Sequence, residues 1–283
     1  MADWRVMPAD DVIGGTHVKV YPFDDNSQRM FAYAMEMIKV IIDKNSRNEN
    51  SAFIVPVGPT EQYPYIADVV NANNISLKNT YFFNMDEYTL ADGTFIPKDD
   101  PLSFRAEMDL TFYSRVRPDL VMDEDHRWFP EFNREEEMWE KIKSVGGVDI
   151  CFGGIGINGH VAFNEALYAD DPRGWDEFAA LPTRLLRLTD ETKAVNASYA
   201  CAGEMPRLPT HAMTIGMREI MSSRKLVLNA YNNYHIRRAL YGALSPQYPA
   251  SCIQKFKDAA IYCSPQLLRP LLPAARYAHA DGE

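Results

Sequence analysis

A short glycine-rich segment carries the residues best suited to chemistry in this 283-residue chain. Four glycines fall within residues 153–159, and they are followed by His160 and, five residues later, by Glu165. The apolar residues 148–152 before them are typical of a buried strand. Glycine lets the backbone approach a ligand closely, and parallel α/β sheets bind ligands at the carboxyl ends of their strands. The pattern predicts a ligand-binding loop, and its spacing matches neither a dinucleotide fingerprint nor a P-loop.

A second segment strengthens this interpretation. Residues 153–165, together with Phe83-Asn84-Met85-Asp86-Glu87-Tyr88, resemble the two signatures of the glucosamine-6-phosphate deaminase (isomerase) family. A weaker likeness runs from Ala52 to Ser264 and includes residues 55–60 and 212–216. By this resemblance the chain is identified as a divergent member of that family, which is related to the 6-phosphogluconolactonases. The resemblance implies an enzyme that interconverts aldose and ketose sugars, with or without loss of an amino group.

Asp86 follows an aromatic strand and is our candidate proton-transfer base. Isomerisation of a 2-amino or 2-hydroxy aldose requires a base that moves a proton between C2 and C1. A partly desolvated carboxylate with a raised pKa suits this task. The residues alone leave a second interpretation open, in which Asp86 caps the following turn and Glu87 binds a backbone amide. The family resemblance favours catalysis by Asp86, and we place Glu87 among the substrate contacts.

His160, Glu165 and Asn158 complete the predicted catalytic set. In the family, the histidine that matches His160 opens the sugar ring by moving a proton at the ring oxygen, and the glutamate that matches Glu165 orients it. Histidine suits this role because it accepts and donates protons near neutral pH. The spacing differs from the HExxH zinc pattern, so we expect no metal and no cofactor. Asn158 replaces an aspartate of the family and can still accept a hydrogen bond from imidazole, but it carries no charge.

The loop that binds phosphate in the family departs most from the pattern. In the family, backbone amides at a helix N-terminus hold the anion. Here the loop reads Gly58-Pro59-Thr60-Glu61, and Pro59 has no N–H to donate. Like charges about 4 Å apart repel by about 4 kcal/mol at an effective dielectric of about 20, so Glu61 opposes a phosphate. The helix dipole explains a glutamate in the first turn equally well, and in both interpretations the helix end is occupied.

Basic residues expected from the family are also missing. The matching positions hold Ser198, Thr210 and Asn232, with His211 next to Thr210. An alternative that stays open is compensation by one of Arg184, Arg187, Arg218, Arg237 and Arg238, most of which we interpret as surface charges. His235 belongs to no motif and is expected to be structural or exposed. The predicted substrate contacts are Gly58, Thr60, Glu61, Glu87, Gly154, Gly156, Gly159, Thr210 and His211.

These features favour an isomerase or deaminase that acts on an amino sugar or hexose through an altered phosphate site. Two alternatives stay open. One is a sugar lactonase, in which the histidine of a comparable glycine loop acts at an ester carbonyl. The other is a non-catalytic sugar sensor, which Asn158 and the missing cations would fit. The expected partner is a small-molecule sugar, and the resemblance implies a homo-oligomer.

Composition excludes several other classes of partner. The formal net charge of −10 argues against nucleic acid and anionic membranes. No segment reaches the roughly 18 apolar residues of a membrane span, and the amino terminus lacks the pattern of a secretory signal. The four widely spaced cysteines predict buried free thiols in a reducing compartment. We therefore expect a cytoplasmic protein.

Short apolar runs alternate with helical patterns along the chain, and these elements must position the candidate residues. Strands are predicted at residues 52–57, 80–83, 148–152, 212–215, 226–228 and 259–263. Helices are predicted after a cap at Asp24, Asp25 or Ser27 and at residues 61–70, 102–116 and 134–145. The alternation predicts an α/β fold, a single Rossmann-like domain with a mainly parallel sheet flanked by helices on both faces. We expect residues 1–23 to be an extended lead-in, residues 24–276 to be the domain and residues 277–283 to be a disordered tail.

Overall fold

A seven-stranded parallel sheet forms the centre of the computed structural model, which describes residues 3–271. In chain order the strands are β1 (Lys19–Pro22), β2 (Ser51–Val55), β3 (Thr80–Asn84), β4 (Asp86–Thr89), β5 (Arg127–Trp128), β6 (Ile150–Gly154), β7 (Arg184–Arg187), β8 (His211–Thr214), β9 (Lys225–Asn229) and β10 (Asp258–Cys263). The parallel sheet has the order β1-β10-β9-β6-β2-β3-β5. The other three strands form an antiparallel sheet with the order β4-β8-β7.

Helices cover both faces of the parallel sheet, as predicted. The α-helices are α1 (Ala9–Gly14), α2 (Asn26–Ser46), α3 (Gln62–Asn73), α4 (Phe104–Met108), α5 (Glu135–Ser144), α6 (Trp175–Ala179), α7 (Asp190–Ala200), α8 (Met217–Met221) and α9 (Asn233–Tyr241). Side chains alternate between the faces of a strand. Ile54 of β2 accordingly joins a core cluster with α5 and α9, while Phe53 joins a second cluster with α2 and α3. The α/β fold class is confirmed.

The amino-terminal segment differs from its prediction. Residues 3–23 are more than an extended lead-in, because they contain α1 and β1. The apolar side chains of Val12, Val18 and Val20 are buried in the core, and β1 pairs with β10 at the edge of the sheet. Residues 277–283 and the boundary at residue 276 lie outside the described residues, so the domain limits stay a prediction.

The predicted helix at residues 102–116 is also shorter and less regular than expected. Helix α4 ends at Met108 and continues as one turn of π-helix, Asp109–Tyr113. The cap of α2 was predicted correctly, because the Asp25 side chain accepts a hydrogen bond from the N–H of Gln28 at 2.8 Å.

Met85 joins the two sheets through its main chain. Its N–H donates to the C=O of Val55 in β2 at 2.9 Å, and its C=O accepts from the N–H of Ile215, just after β8, at 2.6 Å. The antiparallel sheet therefore begins directly at the carboxyl edge of the parallel one. This link places Asp86, the next residue, at the edge where the glycine loop also begins.

The cysteines are Cys151, Cys201, Cys252 and Cys263, and all four are buried and unpaired, as predicted. Within residues 3–271, no helix combines the length and the apolar character that a membrane crossing requires.

Candidate active site

The glycine-rich loop after β6 folds back on itself and presents His160. The N–H of Gly156 donates to the C=O of His160 at 3.0 Å, and the N–H of Gly159 donates to the C=O of Gly156 at 2.9 Å. A Cβ atom on Gly156 would overlap the imidazole of His160. A Cβ atom on Gly159, whose φ is +87°, would overlap the ring of Tyr248. Glycine is therefore required at both positions for the backbone to pass these rings.

The contacts of His160 determine which ring nitrogen is available for chemistry. Its Nδ1 lies 3.0 Å from Oδ1 of Asn158 and 3.2 Å from Oε2 of Glu165. Both oxygens act as acceptors, since the amide nitrogen of Asn158 itself donates to Glu165 at 2.7 Å. We therefore assign the proton of the neutral ring to Nδ1, which leaves Nε2 to exchange a proton with a ligand.

Glu165 holds this network together. Its carboxylate also accepts hydrogen bonds from the hydroxyl of Thr192 at 2.9 Å and from the N–H of Thr189 at 3.2 Å. Burial raises the pKa of Glu165, but hydrogen bonds from His160, Asn158 and Thr192 outweigh burial and hold this pKa below its usual value. An ionised Glu165 thus orients the imidazole. The two threonines were not predicted as site residues, and their one signal in the sequence is Thr189 as a helix cap.

Asp86 is the first residue of β4 and is only 6% exposed. Burial, with a smaller contribution from Glu87, raises the pKa of Asp86 to about 8. Among residues 3–271, no hydrogen bond reaches this carboxyl group. The charged form is therefore poorly solvated and accepts no hydrogen bond from the described residues, so the group keeps its proton up to neutral pH. A carboxyl group of this kind can take up and release a proton in the pH range where enzymes work.

Contacts between the antiparallel sheet and the glycine loop link the strand that carries Asp86 to the segment that carries His160. Asp86 lies opposite Thr214, and the Thr214 hydroxyl accepts a hydrogen bond from the N–H of Phe163 at 3.0 Å. The Phe163 ring centroid lies 5.9 Å from that of His160 and 5.8 Å from that of Tyr88. Tyr88 is on the same strand face as Asp86, two residues on. We call the four residues that were predicted to be catalytic, Asp86, Asn158, His160 and Glu165, the catalytic cluster.

Glu87 does not belong to this cluster, and its assignment to the substrate contacts is corrected. It is fully buried, and it alternates with Asp86 to the other face of the strand. Its carboxylate accepts hydrogen bonds from the N–H groups of Phe104 and Arg105 and from the hydroxyl of Ser103, at 2.9–3.0 Å. Glu87 holds the start of α4, which is the backbone-amide role that the sequence left open.

The altered phosphate loop lies beside the glycine loop. A Cβ atom on Gly154 would come 3.4 Å from the C=O of Gly58. The C=O of Thr60 accepts a hydrogen bond from the N–H of Tyr63 at 3.1 Å. Glu61 is the exposed N-cap residue of α3, and its side chain makes no capping hydrogen bond. Glu61 therefore places a negative charge near the amino-terminal end of α3 without capping it.

Thr210 and His211 are not brought to the catalytic cluster. The Thr210 hydroxyl lies 2.9 Å from Nδ1 of His211, and His211 is the first residue of β8. His211 and Thr214 are three positions apart, which corresponds to about 10 Å along a strand. Among the described residues, neither side chain has a contact with Asp86 or His160.

Arg184 is half-buried in the antiparallel sheet and is not a surface charge. It faces Thr214 from β7, and its Nη1 donates to Oδ1 of Asn164 at 2.8 Å. Burial lowers the pKa of Arg184 to about 10.

For metals, residues 3–271 contain no group of three His, Cys, Asp or Glu side chains arranged to hold an ion.

His235 was predicted to be structural or exposed, and it is buried beside the glycine loop. Its ring centroid lies 5.9 Å from that of Tyr248, the residue packed against Gly159. Burial, with smaller contributions from His160 and Arg238, lowers the pKa of His235 to about 4. His235 is thus a second, neutral imidazole close to His160. Because α9 is far from the signatures in sequence, no motif indicated it.

Sequence comparisons agree with the two signatures. No protein-family model matches the chain. The chain is 28% identical to a glucosamine-6-phosphate deaminase of Cronobacter sakazakii over 238 residues, which is 81% of this chain and 84% of that protein. It is also 28% identical to a glucosamine-6-phosphate deaminase of Yersinia enterocolitica over 216 residues, which is 74% of this chain and 76% of that protein.

Solved structures share the fold. A monomeric glucosamine-6-phosphate deaminase superposes with a TM-score of 0.73 at 23% identity, over 89% of this chain and 100% of that chain. The 6-phosphogluconolactonase of Trypanosoma brucei superposes with a TM-score of 0.61 at 11% identity, over 89% of this chain and 98% of that chain. The fold, the two signatures and the curated relatives thus agree in their similarity to the glucosamine-6-phosphate deaminase family, from which the chain diverges in sequence.

Proposed function

We propose that the chain catalyses aldose–ketose isomerisation of an amino sugar or hexose and releases ammonia when the substrate carries a 2-amino group. The observation that carries the proposal is Asp86, a buried carboxyl group with a pKa of about 8, in the same cluster as the His160–Glu165 pair. The curated relatives, which are named glucosamine-6-phosphate deaminases, support the same reaction class.

His160 opens the sugar ring in this proposal. Ring opening moves a proton from the C1 hydroxyl to the ring oxygen. The Nε2 atom of His160 accepts the first proton and returns it to the ring oxygen. The imidazolium that exists between these steps is stabilised by Glu165, whose carboxylate lies 3.2 Å from Nδ1. Asn158 supplies a neutral acceptor at 3.0 Å on the same nitrogen.

Asp86 then carries out the isomerisation. Its ionised form removes the C2 proton of the open-chain aldose, the C1=C2 double bond forms, and the C1 oxygen takes a proton from water. The protonated Asp86 returns its proton to C1. With a 2-hydroxyl group, the C2 oxygen gives its proton to the hydroxide that this water left behind, and the product is the ketose. With a 2-amino group the return of the proton gives an iminium at C2, to which water adds before ammonia leaves.

An assay of ammonia and ketose tests the proposal. The protein is incubated with glucosamine, glucose and their 6-phosphates, and both products are measured. We expect ketose, accompanied by ammonia from the amino sugars, and a loss of about 10²–10⁴-fold in turnover for Asp86→Asn. The exposed Asp125→Asn is the matched control. Absence of both products, or turnover indifferent to Asp86→Asn, would contradict the proposal.

Two alternatives give different results in the same experiments. Hydrolysis of a sugar lactone without ketose formation would favour a lactonase, which the shared fold raises as a candidate. Saturable sugar binding that is unaffected by Asp86→Asn and unaccompanied by turnover would favour a sensor.

The predicted homo-oligomer stays a prediction, and sedimentation of the purified protein tests it.

A further inference from the structure

Arg29 is a buried cation at the carboxyl edge of the parallel sheet. It lies in the first turns of α2 and is 7% exposed. Its Nη2 donates to Oδ1 of Asn26 at 2.6 Å, and its Cζ lies 5.4 Å from the ring centroid of Tyr231. Among residues 3–271, its buried Nε has no hydrogen-bond partner and no carboxylate lies within 4.0 Å of its side-chain nitrogens. A buried guanidinium without a countercharge is costly, so a spare donor here points to a ligand.

Two buried acceptors lie at the same edge and are also without partners. Asn229 is fully buried; its Nδ2 donates to the Tyr231 hydroxyl at 3.1 Å, and its Oδ1 has no partner. Gln62 donates through Nε2 to the C=O of Pro59 at 2.7 Å, and its buried Oε1 has no partner. Gly154 connects the two, since a Cβ atom there would come 3.6 Å from Pro59 and 3.9 Å from the C=O of Asn229. The edge therefore offers one unused donor and two unused acceptors.

The charge of this edge disfavours a dianion. Glu61, next to Gln62, is near enough to raise the pKa of Tyr231, which burial already raises. Arg29 shifts this pKa in the opposite direction, so the two charges partly offset each other near Tyr231 without forming an ion pair. A phosphate dianion would add two negative charges to this edge. A hydroxyl group both donates and accepts hydrogen bonds, which matches the unused donor and acceptors.

We propose that Arg29, Gln62 and Asn229 bind the unphosphorylated, hydroxyl-bearing end of the substrate. We call these three residues the hydroxyl subsite. Tyr231 is half exposed and covers Arg29, and the sugar reaches the guanidinium by displacing it. This assignment rests on the proposed function, because it names the class of sugar that the catalytic cluster receives.

Steady-state kinetics with glucosamine and glucosamine 6-phosphate test the subsite. We expect the unphosphorylated sugar to have the higher kcat/KM. Arg29→Gln removes the charge and the guanidinium donors, so the KM for glucosamine should rise about tenfold while kcat changes little. Arg47→Gln, an exposed arginine of the same helical segment, is the control and should change neither constant. A wild-type preference for the phosphorylated sugar, or an unchanged KM in Arg29→Gln, would overturn the assignment.

Glu61→Lys provides a second test that does not depend on the stability of Arg29 variants. It replaces a repulsive charge with an attractive one, so the relative kcat/KM for glucosamine 6-phosphate should rise about tenfold or more. An unchanged preference would count against the subsite. If neither sugar is turned over, the proposed function fails instead. Calorimetric binding of glucosamine to wild type and Arg29→Gln then decides the subsite, and equal affinities would overturn it.

Discussion

Asp86 and Thr214 face each other across β4 and β8, and the Thr214 hydroxyl is hydrogen-bonded to the glycine-loop segment through the N–H of Phe163. A carboxyl group on one sheet is thereby held in register with an imidazole on a loop of the other. The catalytic cluster consequently depends on strand pairing as much as on its own side chains.

Asp86 should make the protein less stable when it is ionised. Its pKa is about 8 in the folded protein and 3.8 ordinarily, so the folded state binds the proton more tightly and loses stability as the pH rises between these values. Each pKa unit corresponds to about 1.4 kcal/mol. We expect Asp86→Asn to raise the free energy of unfolding by a few kcal/mol at pH 7. Urea unfolding at several pH values measures this, and a gain that persists unchanged to pH 3.8 would refute the explanation.

Turnover should increase with pH up to the pKa of Asp86. Only the ionised carboxylate can remove the C2 proton, so log kcat/KM should rise with unit slope below pH 8 and level off above it. The pH profile is measured with an open-chain substrate analogue as well as with the cyclic sugar. Because the analogue needs no ring opening, the comparison separates the increase due to Asp86 from the pH dependence of ring opening. A profile that falls between pH 6 and pH 8 would contradict the role of Asp86 as the base.

Gly156→Ala should abolish activity while preserving the fold. The new Cβ would occupy the space of the His160 imidazole, which must then leave its contacts with Asn158 and Glu165. Circular dichroism and turnover measure the two effects. Gly14→Ala is the matched control, because a Cβ there has no atom within 4 Å. Full activity in Gly156→Ala would show that the observed ring position is not the working one.

Thr192→Val should lower kcat more than it raises KM. The hydroxyl of Thr192 donates to Glu165 at 2.9 Å and lies 3.3 Å from Nδ1 of His160. Its loss therefore removes a hydrogen bond that holds Glu165 in place beside the His160 ring. We expect a decrease of about tenfold in kcat, the size typical of a supporting residue. Thr192→Ser keeps the hydroxyl and should restore most of the activity; failure of this rescue would indicate a packing role instead.

His235 should make the fold sensitive to acid. Its pKa is about 4 in the folded protein against 6.5 ordinarily, so the unfolded chain binds the extra proton and stability falls as the pH drops from 6.5 to 4. His235→Phe should remove this part of the loss. Unfolding of both proteins at pH 7.5 and pH 5 gives the comparison, and an NMR titration of the His235 ring with a midpoint near 6.5 would disprove it.

The strands with continuous apolar runs could be predicted from the sequence. Residues 52–57, 148–152 and 226–228 correspond to β2, β6 and β9, because strands buried on both faces are apolar throughout. Strands β4 and β7 were missed, since Asp86–Thr89 and Arg184–Arg187 are short and polar. Their pairing in a separate antiparallel sheet depends on partners distant in sequence.

The catalytic cluster could be predicted only as far as its signatures extend. His160 and Glu165 lie in one segment, and their contact is local. Glu87 was misplaced because its partners come from α4, and His235 and Arg29 were missed because they reach this edge from α9 and α2. Contacts between segments far apart in the chain have no signal in a single sequence.

Two main-chain hydrogen bonds of Met85 hold Asp86 at the junction of the two sheets. Both links use main-chain atoms of Met85, since its N–H donates to Val55 and its C=O accepts from the N–H of Ile215, so neither hydrogen bond depends on the side chain. Proline alone lacks the N–H and would cut the connection to the larger sheet. The main chain at Met85 therefore determines where the Asp86 carboxyl group lies.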